Sequence, residues 1–296
     1  MEEQRAMPTP SNPLENPSTY FINPEEAAET SRLLLQDRII TKEMGGVFPA
    51  SLDLSHIYTV LDLACGPGGW ALDVARAYPH IDVVGVDISE KMIRYAQAQA
   101  RMLGLDNASF QVMDVLKPLA FPQEAFDFVN TRFISPFMPK DAWPRLLQEC
   151  VRITLPGGVI RLTDGEWSFS NGEATEQFAD MVIRAMWLAG KSFSPDGKRF
   201  GTTLVLSQFL REAGLGNIQH QAYALDYSYG TEAHETMYQN TMITYPLLLP
   251  FLLKMGVTTR EEFDRLYEQI AAETQEPEYR GLWFYLSVWG TKPVRS

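Results

Sequence analysis

The sequence predicts an α/β fold in which helices cover both faces of a doubly wound, mostly parallel sheet of seven strands. Two observations predict it. From residue 58 onward, short apolar runs alternate with segments of helical periodicity, and this alternation is typical of parallel βαβ units. The apolar runs are also nearly continuous, which indicates strands that are buried on both faces.

The predicted elements follow one another along the chain. Strands are expected at residues 59–65, 82–88, 109–115, 126–133, 159–165, 218–225 and 283–290. Helices are expected at residues 23–44, 70–78, 89–103, 141–153 and 204–213.

Residues with known capping preferences support the helix ends. Asn23 would cap the first helix, which Gly45 and Gly46 would stop, and Gly104 would end the third. Two further helices are expected in insertions, where residue pairs fit the capping-box pattern. These pairs are Ser170 with Glu173 and Thr259 with Glu262.

Composition divides the chain into five predicted segments. Residues 1–18 are rich in proline and polar residues, so we expect a flexible arm. Residues 19–55 are expected to form an N-terminal helical cap, and residues 56–225 the ligand-binding core. Residues 226–280 are predicted to be a helical lid insertion, and residues 281–296 to carry the final core strand.

The charge and cysteine content narrow the class of protein. The 296 residues carry a net charge of −12, which argues against nucleic acid because phosphate binding depends on clustered basic side chains. Cys65 and Cys150 are too few for a disulfide framework and lie in no metal-ligand spacing. No secretory signal or membrane-length apolar run is recognisable. We expect a cytoplasmic protein with no metal, no membrane association and a small-molecule partner.

The most informative segment is the run from Val60 to Trp70, VLDLACGPGGW. A strand that leads into a glycine loop and then a helix places backbone N–H groups beside a ligand. Gly66, Gly68 and Ala71 also fit the dinucleotide-binding fingerprint, so the loop by itself leaves several ligands open. A tight turn without a ligand is a further alternative.

Two acidic residues add to this loop. Asp87 ends the second predicted strand, where its carboxylate can accept hydrogen bonds from both hydroxyls of a ribose. Asp114 ends the third predicted strand, where it can accept the amino group of an adenine. Each residue alone would more simply cap a helix or turn, but their positions at the ends of consecutive strands favour a shared ligand.

At this point the sequence resembles the class I S-adenosylmethionine-dependent methyltransferases. VLDLACGPGG, VVGVDIS, FQVMD and FDFVNTRF resemble the first four motifs of that family, and LPGGVIRLTD resembles the segment that leads into strand five. The resemblance implies a Rossmann-like core with an antiparallel C-terminal strand and S-adenosylmethionine as cofactor. Ala64 stands where the family most often has glycine, and we expect it to be tolerated at a negative φ.

The resemblance also implies which residues hold the cofactor. Asp62 and the following loop would hold the methionine part, with Asn130 nearby. Asp87 would bind the ribose, and Asp114 would lie near the adenine amino group. The full set of implied cofactor-binding residues is Asp62, Ala64, Cys65, Gly66, Gly68, Asp87, Ile88, Met92, Asp114, Val115, Asn130 and Phe133.

Aromatic residues near the ends of strands four and five, and in the insertions, are candidates to bind a methyl acceptor. Most could equally be helix-packing residues, and strand-end position favours Phe133, Phe137 and Trp167. Glu166 and His234 are the general-base candidates, although either could be a purely structural residue. The predicted acceptor-binding residues are Tyr20, Phe133, Phe137, Trp167, Tyr227 and Tyr238.

These observations favour in-line transfer of a methyl group to a small aromatic or apolar metabolite, as in specialised metabolism. One alternative keeps the cofactor but performs a cyclisation or decarboxylation, and another is a non-catalytic binding module. A nicotinamide dehydrogenase fits less well, because Asp62 lies within the first strand and no Tyr-x-x-x-Lys pair is present.

Overall fold

A single eight-stranded sheet forms the centre of the protein, in the order β3-β2-β1-β4-β5-β8-β6, with β7 on the other side of β8. The computed structural model describes residue 22 and residues 27–294. The strands are β1 Thr59–Leu63, β2 Asp82–Asp87, β3 Ala108–Val112, β4 Phe126–Arg132, β5 Thr154–Gly165, β6 Phe169–Ser170, β7 Gly216–Asp226 and β8 Gly281–Thr291.

Eight α-helices and one 3₁₀ turn are distributed along the described residues. The helices are α1 Ala27–Glu43, α2 Gly69–Ala77, α3 Glu90–Leu103, α4 Trp143–Ile153, α5 Glu173–Leu188, α6 Thr202–Glu212, α7 His234–Met255 and α8 Arg260–Glu273. The 3₁₀ turn is Lys140–Ala142, directly before α4.

The direction of the strands confirms the predicted fold class. Strands β1 to β5 pair in parallel, whereas β8 is antiparallel to β5, β6 and β7. The C-terminal strand is therefore the one that runs against the others. The strand beyond the seven predicted ones is β6. It has only two residues, which is too short for hydrophobic periodicity to reveal.

Both faces of the sheet are covered by helices, as the buried strand sequences predict. Val60 and Phe128 pack into a cluster with Trp70 of α2. Their neighbours Leu61 and Val129 point to the opposite face, into a cluster that includes residues of α4 and α6. This alternation follows from the two-residue period of a β-strand.

The beginning of β5 differs from the prediction. The Pro156–Gly158 segment was expected to be a turn before a strand at residue 159, but β5 already begins at Thr154. Thr154 pairs with Phe126 and Val159 pairs with Phe128, so the intervening residues bulge out of the ladder. Gly157 and Gly158 therefore form part of a bulge within β5 rather than a turn that precedes it.

Helix ends agree with the sequence at α3 and α8. The Ser89 hydroxyl accepts a hydrogen bond from Met92 N at 3.3 Å, and α3 ends at Gly104 with a φ of 65°. The Thr259 hydroxyl accepts from Glu262 N at 3.2 Å. The predicted cap of α1 at Asn23 lies outside the described residues.

The predicted capping box of α5 is wrong. The helix begins after Gly172 without a local side-chain cap, because Ser170 is held in β6 by pairing with β8. The carboxylate of Glu273, at the end of α8, takes the capping role instead. It accepts hydrogen bonds from Ala174 N at 3.0 Å and Thr175 N at 2.6 Å.

Helices α5, α7 and α8 share a hydrophobic cluster of their own beside the sheet. The rings of Phe178 in α5 and Tyr245 in α7 stack with centroids 3.8 Å apart, and Phe263 of α8 packs against Phe178 edge-on. Helix α1 packs against α7. The division of the chain into cap, core and lid stays a prediction.

Among residues 27–294, no helix has both the length and the apolar character needed to cross a membrane.

Candidate cofactor and acceptor site

The glycine loop between β1 and α2 lies closely against neighbouring elements. Gly68 has a φ of 82°, and a Cβ at this position would come within 2.8 Å of the Phe110 ring on β3 and 2.9 Å of Ala96 on α3. Cys65 N donates to Val86 O on β2 at 2.9 Å. Only glycine combines this backbone conformation with this close packing, so the loop is held tightly and leaves its outer side open.

The expected conformation of Ala64 is wrong. Its φ is 55°, in the left-handed region that costs a residue with a Cβ about 1–2 kcal/mol. The loop bends at the end of β1 regardless of which residue stands there. Glycine, which the family most often has at this position, would fit the backbone better.

Asp87 supports the glycine loop from the end of β2. Its Oδ2 accepts a hydrogen bond from Gly66 N at 2.9 Å, and its Oδ1 accepts one from Ser89 N at 2.8 Å. Each carboxylate oxygen can accept a second hydrogen bond. The same side chain can therefore hold the loop and receive the hydroxyls of a ribose.

A row of polar side chains crosses three neighbouring strands beneath the loop. Asp62, Asn130 and Arg161 are register partners on β1, β4 and β5. Asn130 Nδ2 donates to Asp62 Oδ1 at 2.7 Å, and Arg161 Nε donates to Asn130 Oδ1 at 2.8 Å. The guanidinium lies 5.0 Å from the ring centroid of Trp70. Asn130 therefore links Asp62 to Arg161 and supports both side chains.

Burial changes the acidity of both ends of this row. Loss of hydration raises the pKa of Asp62 to about 7, against the opposing effects of Arg132 and of the Asn130 hydrogen bond. Loss of hydration, with repulsion from Arg132, lowers the pKa of Arg161 to about 9. Arg161 was not among the predicted site residues. An arginine within the otherwise apolar run VIRL was the signal that could have identified it.

Helix α1 is fastened to the sheet beside this row. Arg132, at the end of β4, forms an ion pair with Asp37 of α1, and its Nη1 donates to Thr41 Oγ1 at 3.2 Å. Asp37 and Arg132 are both largely shielded from solvent. The ion pair holds α1 across the end of β4, where it becomes a wall of the site.

One continuous cavity of about 740 Å³ lies at the carboxyl ends of the strands. At one end are the glycine loop and the acidic strand ends, and at the other end are aromatic residues. The predicted residues that line it are Asp62, Ala64, Cys65, Gly66, Asp87, Ile88, Met92, Asp114, Val115, Phe133, Phe137, Glu166 and Trp167.

The cofactor end of the cavity combines acidic groups with apolar surface. Ile88 is 49% exposed although it is apolar, and it lines the cavity beside the buried Met92 and Val115. Asp114 follows β3, and its Oδ1 accepts from Leu116 N at 3.0 Å. An apolar surface next to a hydrogen-bond acceptor matches a flat base that carries an amino group.

The acceptor end of the cavity has aromatic walls from separate parts of the chain. The Phe133 ring lies 5.2 Å from that of Trp283 on β8. The Trp167 ring lies 5.9 Å from Phe200 and 6.2 Å from Tyr245 of α7. Phe133, Phe137 and Trp167 are all brought to this end.

Several lining residues were missed because the sequence alone does not reveal which helices cover the sheet. Helices α1 and α7 each contribute a row of lining residues, and further ones lie near the ends of β4, β5 and β8. The missed residues include Leu33, Gln36, Asp37, Ile40, Ser135, Gly165, Asn240, Thr241, Thr244, Tyr245 and Trp283.

Other predicted site residues lie away from the cavity wall. Gly68 faces β3 and α3, as described above. Tyr227 is buried beside Tyr279, whose ring centroid is 6.2 Å away. Tyr238 follows Met237 on α7, and only Met237 of this pair lines the cavity, because adjacent helical residues point in different directions. Tyr20 lies outside the described residues.

The two general-base candidates differ in position, because Glu166 lines the cavity and His234 does not. Glu166 accepts hydrogen bonds from Gly201 N at 2.9 Å and from the Thr203 hydroxyl at 2.7 Å, so its carboxylate caps the start of α6. His234 is buried outside the cavity, with Nδ1 3.2 Å from Tyr227 O. Both side chains serve local structure.

A metal centre does not form in the described part of the chain. No group of three or more His, Cys, Asp and Glu side chains there is arranged to hold an ion.

Comparison with known proteins identifies the family. A family profile described as "Methyltransferase domain" matches residues 60–158. The chain is 33% identical over 173 residues to a demethylmenaquinone methyltransferase of Geobacillus kaustophilus (strain HTA426), covering 55% of this chain and 73% of the relative. The chain belongs to the class I S-adenosylmethionine-dependent methyltransferase family.

Two further matches agree with this family. Methyltransferase str3 of Strobilurus tenacellus is 30% identical over 145 residues, or 49% of this chain and 48% of the relative. The chain therefore spans about half the length of str3. The crystal structure of the YcgJ protein of Bacillus subtilis has a TM-score of 0.51 at 18% identity, covering 89% of this chain and 99% of that protein, which shows that the two chains share a fold.

The residues present fit the cofactor of this family, S-adenosylmethionine. Gly66 of the glycine loop lines the cavity, where the absence of a side chain lets the backbone approach a ligand closely. Asp87 has acceptor capacity for ribose hydroxyls, and Ile88 and Asp114 offer a surface and an acceptor for adenine. Asp62, held by Asn130, stands beside the loop where the amino group of the methionine part would need a carboxylate.

Proposed function

We propose that the protein transfers a methyl group from S-adenosylmethionine to a small aromatic or apolar metabolite. The observation that carries this proposal is the single cavity, in which the cofactor-binding edge continues directly into an aromatic chamber. A donor and an acceptor bound in one enclosed space need no further motion to meet. The Geobacillus relative is a demethylmenaquinone methyltransferase, which is consistent with an aromatic acceptor.

In this reaction the main tasks of the protein are to align the methyl donor with the acceptor and to exclude water. When bound, S-adenosylmethionine supplies an electrophilic methyl group on a sulfonium sulfur. Asp87 and the glycine loop fix one end of the reacting pair, and Phe133 and Trp167 restrict the orientation of the other. Holding two reactants in line contributes much of the rate enhancement in such reactions.

Helices α1 and α7 exclude water from this space. Arg132 and Asp37 hold α1 in place, and α7 contributes Met237 and Tyr245 to the opposite wall. A dry cavity protects the reactive sulfonium centre from hydrolysis and strengthens the polar contacts within it.

Calorimetric titration with S-adenosylmethionine and S-adenosylhomocysteine tests the first half of the proposal. We expect both ligands to bind more tightly than about 1 mM, the range at which binding free energy falls to about 4 kcal/mol. If neither ligand binds, the proposal is refuted. Binding without any methyl transfer would indicate a non-methylating reaction.

A labelled-methyl screen over phenols, indoles, amines and quinone precursors tests the second half. Trp167→Ala should then reduce turnover of any accepted compound and leave the affinity for S-adenosylhomocysteine unchanged. Trp187→Ala is the matched control, because Trp187 packs under Arg184 on α5 outside the cavity. Equal loss of turnover in both variants would show that the Trp167 effect is structural.

A further inference from the structure

A buried carboxylate lies at the acceptor end of the cavity. Asp164 is at the end of β5 and is 2% exposed, yet it lines the cavity together with Ser135. Asp164 Oδ1 accepts hydrogen bonds from Ser135 Oγ at 2.6 Å and Gly165 N at 2.9 Å. Asp164 Oδ2 accepts one from Ser135 N at 3.0 Å. The carboxylate is therefore held rigidly by the loop that follows β4.

Asp164 forms no ion pair with any lysine, arginine or histidine among residues 27–294. The nearby charged group is Glu166, which lies two residues further along the chain, just after β5. Burial raises the pKa of Asp164 to about 6, with Glu166 adding to the effect and the hydrogen bonds from Ser135 and Gly165 opposing it. At neutral pH the group is mostly ionised and only partly compensated.

A buried, ionised carboxylate is stabilised by a further hydrogen-bond donor. A carboxylate oxygen has room for two hydrogen bonds, and Oδ2 receives only the one from Ser135 N among the bonds described. Burying a charge is costly unless hydrogen bonds replace its hydration. A ligand that fills the aromatic end of the cavity and carries an O–H group would supply the missing donor.

The other acidic groups that line the cavity have partners of their own, including Arg132 for Asp37 and Leu116 N for Asp114. Asp62 is held by Asn130, and Asp87 supports Gly66 at the cofactor end. Glu166 caps α6. Asp164 is the acidic group that combines burial, rigid support and a place beside Phe133 and Trp167.

We propose that Asp164 binds the hydroxyl group of a flat aromatic acceptor and takes its proton as the methyl group is transferred, with Ser135 as its positioning residue. The proposal rests on the proposed function and narrows its acceptor to phenol-type compounds. The acceptor O–H bond breaks, and its proton goes to Asp164. The electron pair of the acceptor oxygen forms the new O–CH₃ bond, and the electrons of the broken C–S bond go to the sulfur of the sulfonium donor.

Binding of a chosen pair of probes tests the proposal without any turnover. 2-Naphthol carries the hydroxyl group, and 2-fluoronaphthalene has nearly the same shape without a donor. The wild-type protein should bind 2-naphthol more tightly by roughly tenfold or more, the value of a hydrogen bond to a charged group. Asp164→Asn should abolish this preference while the affinity for S-adenosylhomocysteine stays unchanged.

The pH dependence separates a positioned carboxylate from a merely structural one. Affinity for 2-naphthol should rise as the pH increases through about 6, since phenols titrate only near about 10. Ser135→Ala removes a hydrogen bond that stabilises the ionised form of Asp164, so the pH midpoint of 2-naphthol binding should be higher in this variant. Ser287→Ala, which removes a neighbouring buried hydroxyl bonded to Thr163, is the control and should leave the midpoint unchanged.

Three results would overturn this inference. One is a wild-type protein that does not prefer 2-naphthol, including one that binds neither probe. Another is a preference that survives in Asp164→Asn, and the third is a Ser135→Ala midpoint equal to that of the wild type. Each can occur while S-adenosylhomocysteine still binds, so failure here is distinct from failure of the methyltransferase proposal.

Discussion

Replacement of Asp87 by alanine is expected to weaken both the cofactor site and the fold. The carboxylate accepts hydrogen bonds from Gly66 N and Ser89 N, and it has capacity for the ribose hydroxyls. Asp87→Ala removes all of these acceptors together. The variant therefore tests two roles of Asp87 together, support of the glycine loop and binding of the cofactor.

The magnitude follows from the bonds lost. A hydrogen bond to a charged group contributes about 1.5–3 kcal/mol, and both hydrogen bonds are only partly buried, so the lower value applies to each. The free energy of unfolding should fall by about 3 kcal/mol for the two bonds together. Loss of the ribose contact should raise the Kd for S-adenosylhomocysteine by about 10- to 150-fold.

The chain offers a matched control at the end of β7. Asp226 Oδ1 accepts from Ser228 N at 2.9 Å, which repeats the Asp87–Ser89 contact, but Asp226 is exposed and outside the cavity. Asp226→Ala should cost about 1.5 kcal/mol or less in the free energy of unfolding and leave cofactor affinity unchanged.

Urea unfolding and calorimetric titration on the three proteins separate the two effects. Wild-type affinity for S-adenosylhomocysteine in Asp87→Ala would refute the assignment of Asp87 to the ribose. Equal destabilisation of Asp87→Ala and Asp226→Ala would refute its role in holding the glycine loop.

Three further predictions concern backbone conformation and helix capping. Ala64→Gly should leave the urea midpoint unchanged or raise it, because relief of the positive φ offsets the roughly 0.4–1 kcal/mol of added unfolded-state entropy. Ala98→Gly, on the exposed side of α3, should instead cost about 1 kcal/mol, and equal losses in both would contradict the strain at Ala64. Gly68→Ala should cost about 1–3 kcal/mol more in unfolding free energy than Gly104→Ala. Both glycines have a positive φ, but only Gly68 faces Phe110 and Ala96 at close range. Gly68→Ala should also weaken S-adenosylhomocysteine binding in calorimetry. Glu273→Gln should lower the unfolding free energy by about 1 kcal/mol, because the charge at the start of α5 is lost, and an unchanged thermal midpoint would argue against this cap.

Features that depend on local pattern were predictable from the sequence. The order of strands and helices, the cap at Ser89 and the acidic residues near the ends of β2 and β3 all follow from periodicity and spacing. The loop conformation was not predictable in the same way. Whether Ala64 takes a positive φ depends on how β1 is joined to α2 and packed against β2, which neighbouring residue types do not determine.

Features that depend on distant contacts had no comparable signal. Glu273 caps α5 from nearly a hundred residues away, so the nearer Ser170–Glu173 pair was the natural but incorrect choice. Tyr227 and His234 have residue types common in active sites, yet their burial is decided by the packing of β7 and α7. Asp164 lies at a predicted strand end, but its support by Ser135 appears only in three dimensions.

The Asp62–Asn130–Arg161 row has a consequence for how the strands find their alignment. A slip of β4 by one residue would turn Asn130 to the opposite face of the sheet. Asp62 and Arg161 would then be left buried without their shared amide, at a cost that an apolar core would not impose. Most neighbouring positions of β1, β4 and β5 are apolar and would tolerate a slip more easily. This row makes one register the favoured one, and the same alignment carries Asp62 and Arg132 to their places at the cavity.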